Sequence, residues 1–289
     1  MTTIVRNRGP YTLTQTWYVN GTPTDVAAVT IGIVDAAGGV VVAPLTATTN
    51  VGSGVYTYSL ADQTALNELT VTWTRTDTGA DLVDHIDIKG GELFTEAQAR
   101  TFNKNQFSNT TAFTDAAIAD ARDRITDEFA RICGVAFVPT YARETLAGTG
   151  TNRLWVKWPK VTAVTAVSIN GTAVTAGNVE VDSLQRCLYR TDGYWTAAGV
   201  TLGSPNNVTV AYEHGWGQVP GDIQRAALMV LRSQLQPDVQ GGGIPDAAVT
   251  ITDQFGNLNL LDDGSGSTYG MRFVRDTLTG YNLQARGFA

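Results

Sequence analysis

The stretch AYEHGWGQVPGDIQRAALMVL, residues 211–231, predicts the end of a β-strand, a corner and a helix in direct succession. Pro220 suits the first turn of that helix because its missing N–H would have no partner there, and Asp222 favours the positive end of the helix dipole. Gly215 and Gly217 supply the positive φ angles that a tight corner needs. The helix repeats apolar side chains three and four residues apart, so one face is predicted to be buried. These residues are Ile223, Ala226, Ala227, Val230 and Leu231.

His214 lies in the middle of this stretch and is one of 2 histidines in the chain. A histidine that acts as a general base needs a nucleophile and an orienting acid nearby, and no GxSxG or HExxH pattern accompanies this one. We therefore predict that the stretch is architectural, that His214→Ala leaves assembly nearly unchanged, and that Trp216 is buried by packing over the helix. His85, in a predicted edge strand, has no catalytic pattern either. The sequence predicts no enzyme activity and no catalytic residue.

Residues 1–90 alternate apolar and polar side chains between turn sequences. This period of two is typical of half-buried strands, and many such strands in succession indicate a β-sandwich. Pro44 cannot donate a ladder hydrogen bond, so its strand is predicted to lie at a sheet edge. The alternating apolar positions are Val29, Ile31 and Ile33, then Tyr56, Tyr58 and Leu60, then Leu69, Val71 and Trp73.

The pattern changes at the Gly-Gly pair at 90–91, where we place a domain boundary. Thr95 and Gln98 have the spacing of a capping box, which predicts a short helix. Thr114 is predicted to be the N-cap of a longer helix that ends at Gly134. The buried stripe of this longer helix is predicted to be Ile118, Ala121, Ile125, Phe129 and Ile132.

A second β-rich block fills residues 152–216. The Asn-Gly pair at 170–171 predicts a two-residue type I′ hairpin. Val164, Val167 and Ile169 are predicted to share one buried face, which is compatible with a half-buried strand.

Beyond residue 236 the chain is rich in Gly and Pro. Its segments AAVTITD and NLNLL could each add a strand to the sheet of another chain, and Phe273, Leu278 and Leu283 repeat as in an amphipathic helix. We therefore predict an extended assembly arm. The predicted fold class is α+β, with an immunoglobulin-like β-sandwich at 1–90, a helical domain with inserted β-hairpins at 91–236 and an extended C-terminal arm at 237–289.

The net charge of −7 argues against a nucleic-acid-binding protein, because such proteins neutralise phosphates with clustered Lys and Arg. Residues 1–90 alone carry 4 basic and 8 acidic side chains. No apolar run approaches the roughly 18 residues of a membrane span, and residues 1–6 lack the apolar core of a signal peptide. Cys133 and Cys187 have no CxxC spacing, so we expect buried free thiols, rather than a disulfide or a metal site, and synthesis in the cytoplasm.

Three further patterns have a structural interpretation. Residues 253–257 and 262–266 lack the alternating acids and closing Glu of a calcium loop, so we expect turns. Asp120 and Asp127 of the longer helix have no His or Cys beside them and are expected to be solvated. The Tyr-Trp pair at 194–195 is expected to pack in the core or at a subunit contact, rather than to form a sugar-binding platform. We expect no metal and no cofactor.

Four segments between residues 91 and 240 resemble the head-tail connector (adaptor) proteins of long-tailed bacteriophages. They are FTEAQAR, FARICGVAF, LWVKWPKVTAVTAVSINGTAV and VTVAYEHGWGQVPGDIQRAALMVLRSQL. The last is the most specific, because a valine-rich strand, a tyrosine, a glycine, an aromatic residue, Val-Pro and acidic-Ile follow in that order before the helix. His214 stands where the family typically has a small residue. In residues 1–90, GSGVYTYSL and ELTVTWTRTDTG resemble paired late strands of the immunoglobulin-like modules of phage structural proteins.

This resemblance implies a virion structural protein that is made in the host cytoplasm and lies at the head-tail junction. It implies a homo-oligomeric ring, twelvefold, that docks on the portal protein, contacts a neck or tail-completion protein and lets DNA pass without specific binding. It also implies that the C-terminal segment reaches toward the portal and neighbouring subunits. The alternative is a carbohydrate- or receptor-binding virion module. Aromatic residues in a shallow groove would favour the module, and long helices placed for side-by-side contacts would favour the adaptor.

We predict that the N-terminal domain, residues 1–90, can be removed at residue 91 without unfolding the rest of the chain. A chain of residues 91–289 should fold and still join the particle, because the change of pattern indicates a complete core on each side. Solubility and a cooperative thermal melt test this, with the full chain as control. An insoluble truncated chain beside a soluble full chain would mean that the two parts share a core.

Overall fold

A computed structural model of the chain describes residues 2–105, 107–182, 186–195, 207–235, 250–253, 256–259 and 272–282. Over these residues the fold is mixed α+β and mostly β, in agreement with the predicted class. The chain divides into two compact units, and two separate stretches build each of them. The first unit is Met1–Gly91 with Val138–Gly215, and the second is Glu92–Phe137 with Trp216–Ala289.

The first stretch of the first unit forms two sheets and a short ribbon. Its strands are β1 (Thr2–Val5), β2 (Tyr11–Thr16), β3 (Tyr18–Val19), β4 (Thr22–Pro23), β5 (Val29–Asp35), β6 (Val40–Ala47), β7 (Thr49–Gly52), β8 (Val55–Leu60), β9 (Asn67–Arg75) and β10 (Ala80–Lys89). The larger sheet has the order β1-β10-β9-β5-β6 and the smaller one β2-β8-β7, while β3 pairs with β4. β1 runs parallel to β10, and the pairs β10-β9, β9-β5 and β5-β6 are antiparallel. The strand of Pro44, β6, lies at an edge as predicted.

One hydrophobic core joins the larger and the smaller sheet, which makes this stretch a β-sandwich. The predicted alternation is confirmed in β5 and β9, where each apolar position is buried. Tyr58 of β8 is only partly buried. The core contains Leu13, Tyr56 and Leu60 from the smaller sheet and Ile31, Ile33, Val71, Trp73, Ile86 and Ile88 from the larger one.

The second stretch of the first unit forms another pair of sheets. Its strands are β11 (Thr140–Leu146), β12 (Arg153–Trp155), β13 (Val161–Ile169), β14 (Thr172–Val174), β15 (Val179–Val181), β16 (Cys187–Arg190) and β17 (Val208–His214). The sheets have the orders β11-β17-β13-β14 and β12-β16-β15. Both contribute to one core, which includes Leu154, Leu188, Val210 and Tyr212. Strand β17 has a neighbour on each side, β11 and β13.

The predicted hairpin at Asn170-Gly171 is confirmed. Its two turn residues have φ angles of 50° and 77°, and Ile169 pairs with Thr172 across the turn. Positive φ at both central residues is what a type I′ turn requires.

Strand β13 contains two irregularities where its register against β17 shifts. One lies between Val161 and Ala163 and the other between Val164 and Ala166. An extra residue turns all following side chains to the opposite face of a strand. For this reason Val161, Val164 and Val167, which are three residues apart, all contact the same core.

Contacts within the first unit cross the predicted boundary at residue 91. Leu66 packs with Tyr141 and Ala211 in a small cluster. The amide of Gly90 also donates a hydrogen bond to the carbonyl of Pro139 at 2.8 Å. A chain that begins at residue 91 would lack Leu66 and leave this cluster open, so independent folding on either side stays a prediction.

The second unit is helical over most of its described residues. Its elements are α1 (Glu96–Asn105), α2 (Asp115–Cys133), α3 (Gly221–Leu235), the paired strands β18 (Thr250–Asp253) and β19 (Gly256–Asn259), and α4 (Arg272–Tyr281). Helix α2 contacts α1, α3 and α4, and α3 also contacts α4. The longest helix is therefore the one on which the other three pack.

The predicted helix ends are confirmed. The amide of Gln98 donates to Oγ1 of Thr95 at 3.2 Å, and the amide of Thr95 donates to Oε1 of Gln98 at 2.8 Å, which completes a capping box. The amide of Ala117 donates to Oγ1 of Thr114 at 3.2 Å at the start of α2. Gly134 ends α2 with a φ of 66°, in the left-handed conformation that glycine adopts at low cost.

The buried face of α2 differs from the predicted stripe in one position. Ile118, Ala121, Ile125 and Phe129 are buried as predicted, but Cys133 takes the last buried position, and Ile132 is only half-buried. The buried residue thus follows Phe129 by four positions instead of three.

Helix α4 falls within the predicted C-terminal arm, yet it packs on the helical unit. Its buried side chains are Val274 and Leu278, four residues apart, and Phe273 is exposed, so the predicted stripe is wrong at Phe273. The thiol of Cys133 donates to the carbonyl of Leu278 at 3.4 Å. Leu283 and most of the remaining arm lie outside the described residues.

We predict that Gly54→Ala destabilises the sandwich more than Gly52→Ala. Both glycines have positive φ, 75° and 96°, so alanine costs on the order of 1 kcal/mol at either position. A Cβ at Gly54 would also lie 2.5 Å from the amide nitrogen of Thr24 and 2.7 Å from the carbonyl oxygen of Trp17, whereas Gly52 has open space. Urea denaturation of both variants measures the difference, and equal losses would show that the segment around Thr24 moves aside freely.

Candidate functional site at the strand-to-helix corner

The corner consists of the end of β17, a turn and the start of α3. Gly215 has a φ of 109° and donates its amide to the carbonyl of Lys160 at 3.0 Å. Gly217 is not in the left-handed region, so the predicted need for positive φ is confirmed at Gly215 and wrong at Gly217. The carbonyl of Pro220 accepts a hydrogen bond from the amide of Gln224 at 2.9 Å. Proline therefore precedes the helix where its missing N–H costs nothing.

His214 is buried in the first unit and contacts aromatic side chains. Its side chain is 2% exposed, and its ring stacks on Trp158 with centroids 5.2 Å apart and an interplanar angle of 8°. Tyr212 lies on the same face of β17, and its ring centroid is 5.7 Å from that of His214. Burial lowers the pKa of His214 to about 4, because the charged imidazolium is poorly solvated there. The structure gives this histidine a packing role, and the effect of His214→Ala on assembly stays a prediction.

A half-buried carboxylate, Glu144, forms hydrogen bonds in the same region. Glu144 accepts hydrogen bonds from the hydroxyl of Tyr212 and, at 3.1 Å, from the amide of Lys157. The amide of Trp158 donates to the Tyr212 hydroxyl at 3.2 Å. Burial and then the hydrogen bond to Glu144 raise the pKa of Tyr212. The sequence reasoning missed Glu144, because its contact with Tyr212 depends on the pairing of β11 with β17.

Trp216 begins the helical unit and is half-buried there. The rings of Trp216 and Tyr281 are T-shaped with centroids 5.7 Å apart, and those of Phe137 and Tyr281 are T-shaped with centroids 5.6 Å apart. The hydroxyl of Tyr281 donates to the carboxylate of Asp222 at 3.0 Å, in the first turn of α3. Burial and then this hydrogen bond raise the pKa of Tyr281. Trp216 thus packs against α4 as part of a small aromatic cluster that Tyr281 organises.

Both cysteines are free and buried, as predicted. Burial raises the pKa of Cys133 to about 12, and burial is also the main cause of the raised pKa of Cys187. In the part of the chain that the structure describes, no three His, Cys, Asp or Glu side chains come together as a metal site. The described helices also include none with the length and apolar character of a membrane span.

The other sequence candidates have separate locations. Trp195 is buried and its Nε1 donates to the carbonyl of Asn152 at 3.0 Å, whereas Tyr194 is exposed. Core packing is therefore confirmed for Trp195, and the pair does not present two rings to solvent. His85 is exposed in β10. Asp253 and Gly256 pair at the end of the β18-β19 hairpin, while residues 262–266 lie outside the described residues.

Large apolar side chains are exposed at several strands and turns, and in α4. They are Tyr18, Val40, Val41, Leu45, Val51, Leu82, Val83, Trp155, Tyr189, Tyr194 and Phe273. Scattered apolar residues are normal on protein surfaces, but Trp and Tyr are enriched in protein interfaces. The exposed aromatics are therefore the side chains best suited to bind another protein.

Comparisons with known proteins give a partial likeness. No protein-family model and no curated protein matches the chain. Among solved structures, a chain from the neck of an empty GTA particle, computed with C6 symmetry, has a TM-score of 0.36 and 16% identity over 45% of this chain and 71% of that chain. A chain from the virion of a native gene transfer agent (GTA) particle has a TM-score of 0.33 and 17% identity over 46% of this chain and 72% of that one. Each likeness spans less than half of this chain.

We predict that His214 makes the chain less stable in acid. The folded state keeps the imidazole neutral down to a pKa of about 4, whereas the unfolded chain binds a proton below about 6.5, so stability is full above pH 6.5 and falls toward pH 4. The loss between pH 7 and pH 5 should be about 2 kcal/mol. Urea denaturation at pH 7, 6 and 5 measures it.

In that experiment His214→Phe keeps an aromatic ring on Trp158 and removes the proton site, so its stability should fall by about 2 kcal/mol less than that of the wild type. His85→Phe, a change of the exposed histidine, is the matched control and should keep the wild-type dependence. Identical pH profiles for His214→Phe and the wild type would contradict the assignment.

Proposed function

We propose that the chain is a phage virion structural protein, a head-tail connector that forms a ring on the portal protein and joins the capsid to the neck and tail. The observation that carries the proposal is the strand, corner and helix of residues 208–231. The residues that resemble connector proteins are also those that build the fold. Val210 and Tyr212 are buried in the sheet core, and Ile223, Ala227 and Leu231 are buried in the helical unit. A segment whose side chains serve only to build the fold fits a structural protein that functions by binding its neighbours.

The exposed aromatic residues support a role in assembly. The side chains of Trp155 and Tyr194 are more than half exposed. Desolvated Trp and Tyr often supply much of the energy at protein interfaces, because they bury a large area at a small entropic cost. Such residues at the surface favour a protein that functions with neighbours around it.

The charge of the chain fits a channel through which DNA slides. With 20 basic and 27 acidic side chains, the protein offers no general attraction to phosphate. Each neutralised phosphate would add affinity and hold the genome in place. We therefore propose a neutral or acidic lumen, in a twelvefold ring for which the portal's own symmetry serves as template.

The carbohydrate- or receptor-binding module remains the alternative from another class. Its predicted platform was the Tyr-Trp pair at 194–195, and only Tyr194 is exposed. A single exposed ring is a weak sugar site, since it offers one stacking surface. No observation in the described residues favours this module over the connector.

We predict that the purified full chain is monomeric or weakly associated and forms a closed ring when the portal protein of the same particle is added. The portal raises the local concentration of subunits, which drives contacts too weak to persist in solution. Light scattering after size exclusion, followed by electron microscopy of the mixture, measures both states.

The same preparation should show no tight binding to duplex DNA in a titration at low salt, where electrostatic affinity is greatest. For the electron microscopy of the ring, the portal protein without the chain is the control, and it should lack the added density. A stable monomer that ignores the portal and binds duplex DNA tightly would contradict the connector function.

A further inference from the structure

Strand β12 exposes an aromatic and a cationic side chain at the edge of its sheet. Trp155 is 56% exposed, and Arg153, two residues before it, is also exposed. Alternate residues of a strand share a face, so both side chains lie on the same side of β12. Arg153 pairs in register with Tyr189 of β16, which extends the aromatic surface by one strand. Among the described residues the Arg153 guanidinium has no carboxylate partner.

Strand β10 exposes the complementary pair at another edge. Its second half is covered by β1, which pairs with Ile86–Lys89, but the described residues provide no second neighbour for the first half. Leu82 is 37% exposed, and Asp84, two residues later, is exposed and has no cationic partner in the described chain. Both share a face with Ile86, which is buried in the sandwich core. The core-facing side of β10 is thus left open at Leu82 and Asp84.

The two edges match in spacing and in charge. On each strand an apolar and a charged residue are two positions apart, a separation of about 6.5 Å. If the two strands lie antiparallel, Trp155 meets Leu82 while Arg153 meets Asp84. The apolar contact supplies most of the attraction, and the ion pair fixes orientation and register.

We propose that this contact joins neighbouring copies of the chain, with Arg153 and Trp155 of one copy docked on Asp84 and Leu82 of the next. The inference rests on the proposed function, because it supplies the subunit contact of the ring. The two surfaces are different, so the contact is heterologous, and repetition of a heterologous contact closes a ring when the rotation allows it. Among the described residues of one copy, Arg153, Trp155, Leu82 and Asp84 are all exposed, which fits assembly on a template.

Charge reversal in the portal-templated assembly tests the contact. Arg153→Glu alone and Asp84→Arg alone each place like charges opposite one another, and each should reduce the amount of ring-bound chain at least tenfold. Arg153→Glu combined with Asp84→Arg restores the pair in the opposite sense and should recover assembly to within twofold of the wild type. This rescue has no explanation in folding, because each change lies on an exposed side chain.

The matched control is Arg153→Glu combined with Glu68→Arg. Glu68 is exposed in β9, and this double variant has the same net charge, −7, as the wild type and as the rescuing variant. It should stay defective, because total charge is restored without the pair. Recovery in this control would show that net charge, and not this contact, governs assembly, and would overturn the proposal.

The remaining outcomes separate the contact from the function. A wild-type chain that forms rings while both single variants form them equally well overturns the contact and leaves the connector function standing. Single variants that fail and are not rescued by the double reversal show that this face binds another component of the particle, which also overturns the contact. A wild-type chain that forms no ring on the portal overturns the proposed function and the contact with it.

Discussion

Strand β17 is covered on both faces, and the first unit depends on that constraint. Tyr212 lies on the face that packs in the core of the second stretch. Ala211 lies on the opposite face and packs with Leu66 of the N-terminal stretch, where a side chain as small as alanine permits close approach. Two positions after Ala211, Glu213 binds Arg6 at 3.3 Å. One face of β17 therefore packs in the core of the second stretch, and the opposite face packs against the N-terminal stretch.

Features that depend on neighbours in sequence could be predicted from the sequence. Thr95 and Thr114 cap the starts of their helices with hydrogen bonds to residues three positions later, and Gly134 ends α2 through its own φ angle. The Asn-Gly pair at 170–171 forms its turn with two adjacent residues. The strand alternation in the sandwich has the same origin, because a period of two is a property of the strand itself. These signals needed no knowledge of what packs against each element.

Features that depend on distant partners could not be predicted in this way. The sequence reasoning expected Trp216 in the core, where it is half-buried. It did not predict that His214 stacks on Trp158, a contact that depends on the pairing of β13 with β17. The same reasoning placed Ile132 where Cys133 is buried, because α4 covers that side of α2 from far along the chain. Local periodicity identifies a face, whereas the partner element decides which residues at its border are covered.

The burial of Cys133 has a consequence for the reactivity of its thiol. Thiolates, and not thiols, react with oxidants and disulfides. Because burial raises the pKa of Cys133 to about 12, its thiol stays protonated at pH 7. The sulfur is fully buried where α2 and α4 meet, which limits the access of a dissolved oxidant. Both cysteines are free and buried, so neither thiol is exposed on the folded protein to form a cross-link.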